Sequence, residues 1–215
     1  MFYYFGSKNR LARRYPPPQH PRIVEPFAGS AGYSCHYWQH DVTLIEKDER
    51  VVELWDTLRG MTIADALALP TPTVGERTSD LLTMLRAASE HSLTGSYITV
   101  TERMVSRWEP LRRRLADMIP KVQHWNIVLG DYTDAPDIDA TWFVDPPYQM
   151  MRRGYAHLGL NYHDLGQWCQ QRRGQVIVCE QEGATWLPFT ALTEARTTNN
   201  TTKTEVVWSR TLPEA

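Results

Sequence analysis

The apolar positions of this chain fall into short runs separated by amphipathic stretches. "RIVEPF" (22–27), "VTLIEK" (42–47), "ATWFVD" (140–145) and "QVIVCE" (175–180) are brief, rich in β-branched and aromatic residues, and bounded by turn formers. With "VQHWNIVLGD" (122–131) they predict buried strands. Between them, "YSCHYWQH" (33–40), "DERVVELWDTL" (48–58), "TERMVSRWEPLRRRLADM" (101–118) and "YHDLGQWCQQRR" (162–173) carry helical spacing, the third opened by Thr101. From Gly60 to about Gly95 the pattern changes to short amphipathic helices around a Pro/Thr/Gly-rich break, which reads as an insertion. "LPFTALTEAR" (187–196) and "KTEVVWSR" (203–210) alternate like a hairpin with "TTNNTT" as its loop. Strand and helix alternate, and then a hairpin closes the pattern. The fold class expected is α/β, with a mostly parallel sheet, a terminal antiparallel hairpin and a small helical insertion.

Composition changes this picture little. The 215 residues suit one domain with an ample core. There is no apolar run of membrane-spanning length and no signal-peptide pattern. Cys35, Cys169 and Cys179 are far apart and form no C-x-x-C pair, which predicts reduced thiols, no structural metal and a cytoplasmic setting. The net charge of −2 does not announce a nucleic-acid binder. Arginines nevertheless cluster at 10, 13 and 14, at 112–114, at 152–153 and at 172–173, and only convergence on one face would make them a phosphate track.

Candidate chemistry sits where strands end. In "WFVDPPYQM" (142–150) a strand runs into two prolines that have no N–H for its ladder, so it stops with Asp145 at its tip. An aromatic amine is a poor nucleophile because its lone pair is delocalised into the ring. Asp145 and the Pro146 carbonyl, held by the Pro146–Pro147 geometry, are the two acceptors that could grip its hydrogens, and Tyr148 offers a face for a base. "VEPFAGSAGY" places Gly29 and Gly32 in a strand-to-helix turn, where ligands of open α/β sheets bind. Glu46, about twenty residues on at the next strand tip, can accept from ribose hydroxyls. Asp131 in "VLGDYTDA" could accept from an adenine amino group. Each has a plain structural alternative: a turn cap, a tight turn or a surface acid.

Taken in order, "YFGSK" (4–8), "EPFAGSAG" (25–32), Glu46, an insertion, Asp145 to Tyr148, and "TTNNTTKTEVVWS" resemble the Dam-like, alpha-class DNA adenine-N6 methyltransferases over nearly the whole chain. Ser7 stands where that family has a glycine, and Ala31 where it often has one. The resemblance implies a Rossmann-like S-adenosylmethionine-dependent methyltransferase fold. Residues 1–56 and 109–215 would form the catalytic domain, and 57–108 a helical target-recognition insertion. It implies methyl transfer from S-adenosylmethionine to adenine N6 in DNA after base flipping, with Asp145, Pro146, Pro147 and Tyr148 catalytic and no metal. Tyr4 and Lys8 would border the methionine end of the cofactor, Phe27, Gly29 and Gly32 would cradle it, Glu46 would hold its ribose, and Asp131 would lie near its adenine. Arg103, Arg107, Arg112 and Arg152 are the expected phosphate contacts. The setting implied is a prokaryotic or phage-infected cell. Two rivals stay open: the same chemistry on RNA or an unusual base, and a nucleic-acid-binding homologue that does not turn over.

Overall fold

The computed structural model describes residues 2, 7–78, 98–150, 159–196 and 202–211. After a 3-10 turn at Ala12–Arg14, strand β1 (Arg22–Glu25) leads through a glycine loop into helix α1 (Gly32–His36), then β2 (Asp41–Glu46) and α2 (Glu49–Gly60). Helix α3 (Ile63–Ala68) follows, and then a two-stranded ribbon, β3 (Arg77–Thr78) with β4 (Ile98–Thr99). Helix α4 (Glu102–Val122), β5 (Asn126–Leu129), β6 (Ala140–Val144), α5 (Tyr162–Gln171), β7 (Gly174–Gln181), β8 (Thr190–Arg196) and β9 (Thr202–Thr211) complete the order. The main sheet has seven strands in the order β5-β2-β1-β6-β7-β9-β8. The first five are parallel, and β9 pairs antiparallel with both β7 and β8. This is the expected mixed α/β architecture with its terminal hairpin, compatible with a Rossmann-like fold.

The short apolar runs are strands because both faces of the sheet are covered. Ile23, Leu44, Phe143 and Ile177 face one side and pack with α1, α2 and α4 residues such as Trp55, Leu58 and Trp108. Their neighbours Val24, Ile45, Trp142 and Val176 face the other and meet Leu165 and Cys169 of α5. The helix starts follow local chemistry. The Asp48 carboxylate accepts from the Arg50 amide, Thr101 from Met104, and Asn161 from His163 and Asp164. Thr62 and Asp65 form a reciprocal capping box.

Three elements differ from the sequence reading. The α1 segment is one short helix, because its chain turns away at Tyr37. The segment 57–108 contains an antiparallel ribbon beside its helix, so it is not purely helical; residues 79–97, its middle, lie outside the described residues. The expected boundary between 108 and 109 falls inside α4, an unbroken helix whose Trp108 and Leu111 both enter the main core. Among the described residues no helix is long and apolar enough to cross a membrane.

Candidate active site

Five parallel strands end along one edge of the sheet, and the order reverses between β1 and β6, so a crevice opens there. A cavity of about 410 Å³ fills it, within the range of small-molecule sites. Its floor is the loop after β1. Gly29 (φ 45°) and Ala31 (φ 47°) are both left-handed, which lets the chain double back into α1. The indole of Trp55 on α2 donates to the Gly29 carbonyl at 2.9 Å and pins the loop from below.

Glu46 lies at the tip of β2 and faces this loop. Its carboxylate accepts from the Gly29 amide at 2.9 Å and from the Lys47 and Asp48 amides at 2.9 and 3.0 Å. Burial pushes its carboxyl up, and those three N–H groups oppose the shift. A carboxylate has about four lone-pair directions, so Glu46 organises the loop and still has room for a ligand hydroxyl. Glu46→Ala should weaken binding of the S-adenosylmethionine that the sequence resemblance implies by roughly tenfold or more, and lower Tm as well. Unaltered affinity in calorimetry would remove the ligand role.

Asp131 follows Gly130, whose amide donates to the Glu46 carbonyl at 3.0 Å. Lys47 donates to its Oδ2 at 2.7 Å, while its Oδ1 is buried with no partner among the described residues. That orphaned acceptor is the feature expected of a group waiting for a ligand donor. Beside it, Phe27 and Tyr132 stack at 5.6 Å and 24° and give the cavity an aromatic wall.

Asp145 stands at the end of β6, its side chain 19% exposed. Lys8 donates to Oδ1 at 2.8 Å and to Oδ2 at 3.0 Å. Burial pushes the Asp145 carboxyl up to about 6, and the Lys8 ammonium acts against that shift. For Lys8, burial favours the neutral amine, but the Asp145 and Glu205 carboxylates override it and hold the ammonium firmly charged. The rest of the motif is tethered to separate elements. Tyr162 of α5 donates to the Pro147 carbonyl at 2.6 Å, the Gln149 amide donates to buried Glu180 at 2.7 Å, and Pro146 is buried. The Tyr148 hydroxyl donates to Glu205 of β9, as does that of Tyr15 at 2.6 Å.

Not every expected residue sits as the sequence implied. Tyr148 is 7% exposed and Lys8 lies 4.7 Å above its ring, so it does not present an open face. Lys8 binds the expected catalytic acid directly. Gly32 admits the N-terminal segment to α1: a Cβ there would lie 2.6 Å from the Asn9 nitrogen and 2.8 Å from the Lys8 carbonyl carbon. Arg103 and Arg107 are exposed one turn apart on α4, and Arg112 is partly buried and bonded to Glu109 and to the Leu69 carbonyl. Tyr4 and Arg152 lie outside the described residues.

Sequence reasoning missed Glu205, Glu180 and Glu25. Glu25 ends β1, is buried, and accepts from the Ser34 amide at 2.7 Å. Burial pushes its carboxyl up to about 8. The unfolded chain therefore releases this proton from about pH 4.5 upward, while the folded chain keeps it until about pH 8. Stability tied to Glu25 is full below pH 4.5 and is lost as pH rises towards 8. Glu25→Gln should match the parent's Tm near pH 4.5 and exceed it at pH 8; a Tm difference independent of pH would contradict this.

No protein-family model matches the chain, and no curated protein matches it. A solved structure described as a conserved hypothetical protein from Streptococcus pyogenes is similar over 86% of this chain and 84% of its own, at 12% identity and a TM-score of 0.37.

Proposed function

We propose that the chain transfers the methyl group of S-adenosylmethionine to adenine N6 in DNA, with the base flipped out of the duplex. The observation that carries this reading is the charge of the cavity. Among the described residues Glu46, Asp48, Asp131 and Asp145 line it against Lys8 and Lys47, while Glu25, whose carboxyl burial pushes up to about 8, stands beside them uncharged at neutral pH. Such a lining repels the phosphates of a nucleotide and favours a cationic nucleoside. The residues fit that ligand. Glu46 retains capacity for a ribose hydroxyl, Asp131 has an orphaned acceptor for an adenine amine, and Phe27 and Tyr132 supply an aromatic wall.

Held by Glu46, Asp131 and the Phe27–Tyr132 wall, S-adenosylmethionine would supply an electrophilic methyl on its sulfonium, whose carbon–sulfur bond would break with the electron pair left on sulfur as the carbon–nitrogen bond formed. The chain's part is positioning and electrostatics. Asp145 accepts one hydrogen of the target amine and the Pro146 carbonyl the other, which localises the lone pair on nitrogen. The proton shed by nitrogen passes to the Asp145 carboxylate and on to solvent. Tyr162, Glu180 and Glu205 hold the loop in place for this.

Calorimetry with S-adenosylmethionine and a labelled-methyl transfer assay on DNA and on RNA test the reading. Transfer to DNA supports it, and binding without transfer to either refutes it. Helix α4 precedes β5 and so descends from the edge that carries the site, which puts Arg103 and Arg107 at its near end. The double variant Arg103→Ala/Arg107→Ala should lower the slope of log affinity against log salt by about 1.8, at about 0.9 per phosphate contact. An unchanged slope makes them solvated surface.

A further inference from the structure

Lys8 makes with the site the contacts that the proposed mechanism asks of its substrate. The ammonium donates to both Asp145 oxygens and sits over the Tyr148 ring. An exocyclic amine stacked on Tyr148 and gripped by Asp145 needs the same two partners. The two cannot occupy that place together. Lys8 is only 4% exposed, so an ammonium displaced from Asp145 must find another partner rather than lose its charge compensation. One stands ready. Glu205 Oε1 lies 3.6 Å from the Lys8 nitrogen, within ion-pair reach but short of a hydrogen bond. Glu205 is itself 8% exposed and is held by the Tyr15 and Tyr148 hydroxyls. A small swing of the flexible lysine stem closes the gap.

We propose that Glu205 is a positioning residue: it receives the Lys8 ammonium when the target amine displaces it from Asp145. The inference rests on the methyltransferase reading. Lys8 then acts as a placeholder that keeps Asp145 paired until a base arrives, and it crosses between two carboxylates without a stage at which its charge is bare. Because the Tyr148 hydroxyl ends on the same carboxylate, the step also ties the ring beneath the base to the position of the lysine.

Glu205→Gln tests this, since the amide oxygen still accepts from both tyrosines but the charge is gone. Its Tm and its affinity for S-adenosylmethionine should stay close to the parent's. KM for target DNA should rise and kcat fall, for a loss in kcat/KM on the order of tenfold or more, the value of one charge-assisted hydrogen bond. Tyr15→Phe, which removes a hydrogen bond and leaves the charge, should lose less than about threefold. If Glu205 only braces the tyrosines, that order reverses and the proposal falls. A second readout needs no variant. In protein carrying 15N-lysine, the Lys8 ammonium signal should move when S-adenosylhomocysteine and target DNA are added to the parent. A signal that keeps its Asp145-bound position in that complex overturns the proposal. A parent that binds S-adenosylmethionine but methylates neither DNA nor RNA overturns the methyltransferase reading and this station with it. A methylating parent whose Glu205→Gln variant keeps parental kcat and KM overturns the station alone.

Discussion

Asp145→Asn is expected to bind S-adenosylmethionine as the parent does and to turn over roughly thirty to a thousand times more slowly. The carboxylate is drawn on most strongly as the amine attacks, so its loss falls on the transition state and not on the ground state. A charge-assisted hydrogen bond used in this way is worth about 2–4 kcal/mol. The residues proposed to hold S-adenosylmethionine are spared because Gly29, Glu46 and Asp131 follow other strands. Folding is largely spared too, because Lys8 keeps Glu205 as its counter-charge. A pH profile sharpens the test. The acceptor must be ionised, so kcat/KM of the parent should fall as pH drops through about 6, where burial sets the Asp145 carboxyl. The Asn variant should lack that limb. If Asp145 only ends its strand and pairs with Lys8, the pattern inverts: Tm falls and activity per folded molecule survives.

Gly32→Ala should be strongly damaging to stability. The new methyl would meet the backbone of Lys8 and Asn9 at distances no real Cβ contact shows, and backbone cannot yield as a side-chain tip can. The lysine turn is itself fixed, since the Lys8 carbonyl accepts from the Leu11 and Ala12 amides at 2.8 Å each. Overpacking of this kind costs about 3 kcal/mol, which for a chain of this length lowers Tm by roughly 6–12 °C. A glycine that merely cradled the cofactor would give the opposite result: an undisturbed Tm and weaker binding. Thermal melting without ligand separates the two.

The sheet was legible because its strands are buried on both faces. "WFV" and "VIVC" carry apolar residues at every position, and Pro26 and Pro146 mark where two ladders stop. Thr101 and Asn161 announced their helices through capping chemistry. Asp145, Glu46 and Asp131 were visible because strand tips in an open α/β sheet converge on one edge. What stayed hidden depends on strand neighbours. Glu205 sits in "KTEVVWS", whose alternation reads as one wet and one dry face. It is buried because β9 inserts between β7 and β8, with Glu205 opposite Gln181 on one side and Thr193 on the other. No local pattern reports such an insertion. The pairing of Lys8 with Asp145 is equally silent, since it joins residues from the two ends of a long stretch of chain. Gly32 lines the cavity as the sequence implied, but its close packing against the Lys8–Asn9 backbone was not visible, because sequence shows that space is needed and not everything that fills it.

The lysine between its two carboxylates also bears on synthesis. Lys8 emerges from the ribosome early, Asp145 much later, and Glu205 later still. The parallel strands β1, β2, β5, β6 and β7 can pair before β9 exists, but no nascent chain that stops before Glu205 holds all three charges. Until then the Tyr15 and Tyr148 hydroxyls lack their shared acceptor and Lys8 lacks the Glu205 carboxylate. The charged heart of the site is thus set by contacts far apart in the chain, which are slow to close, and a growing chain acquires its scaffold well before its chemistry.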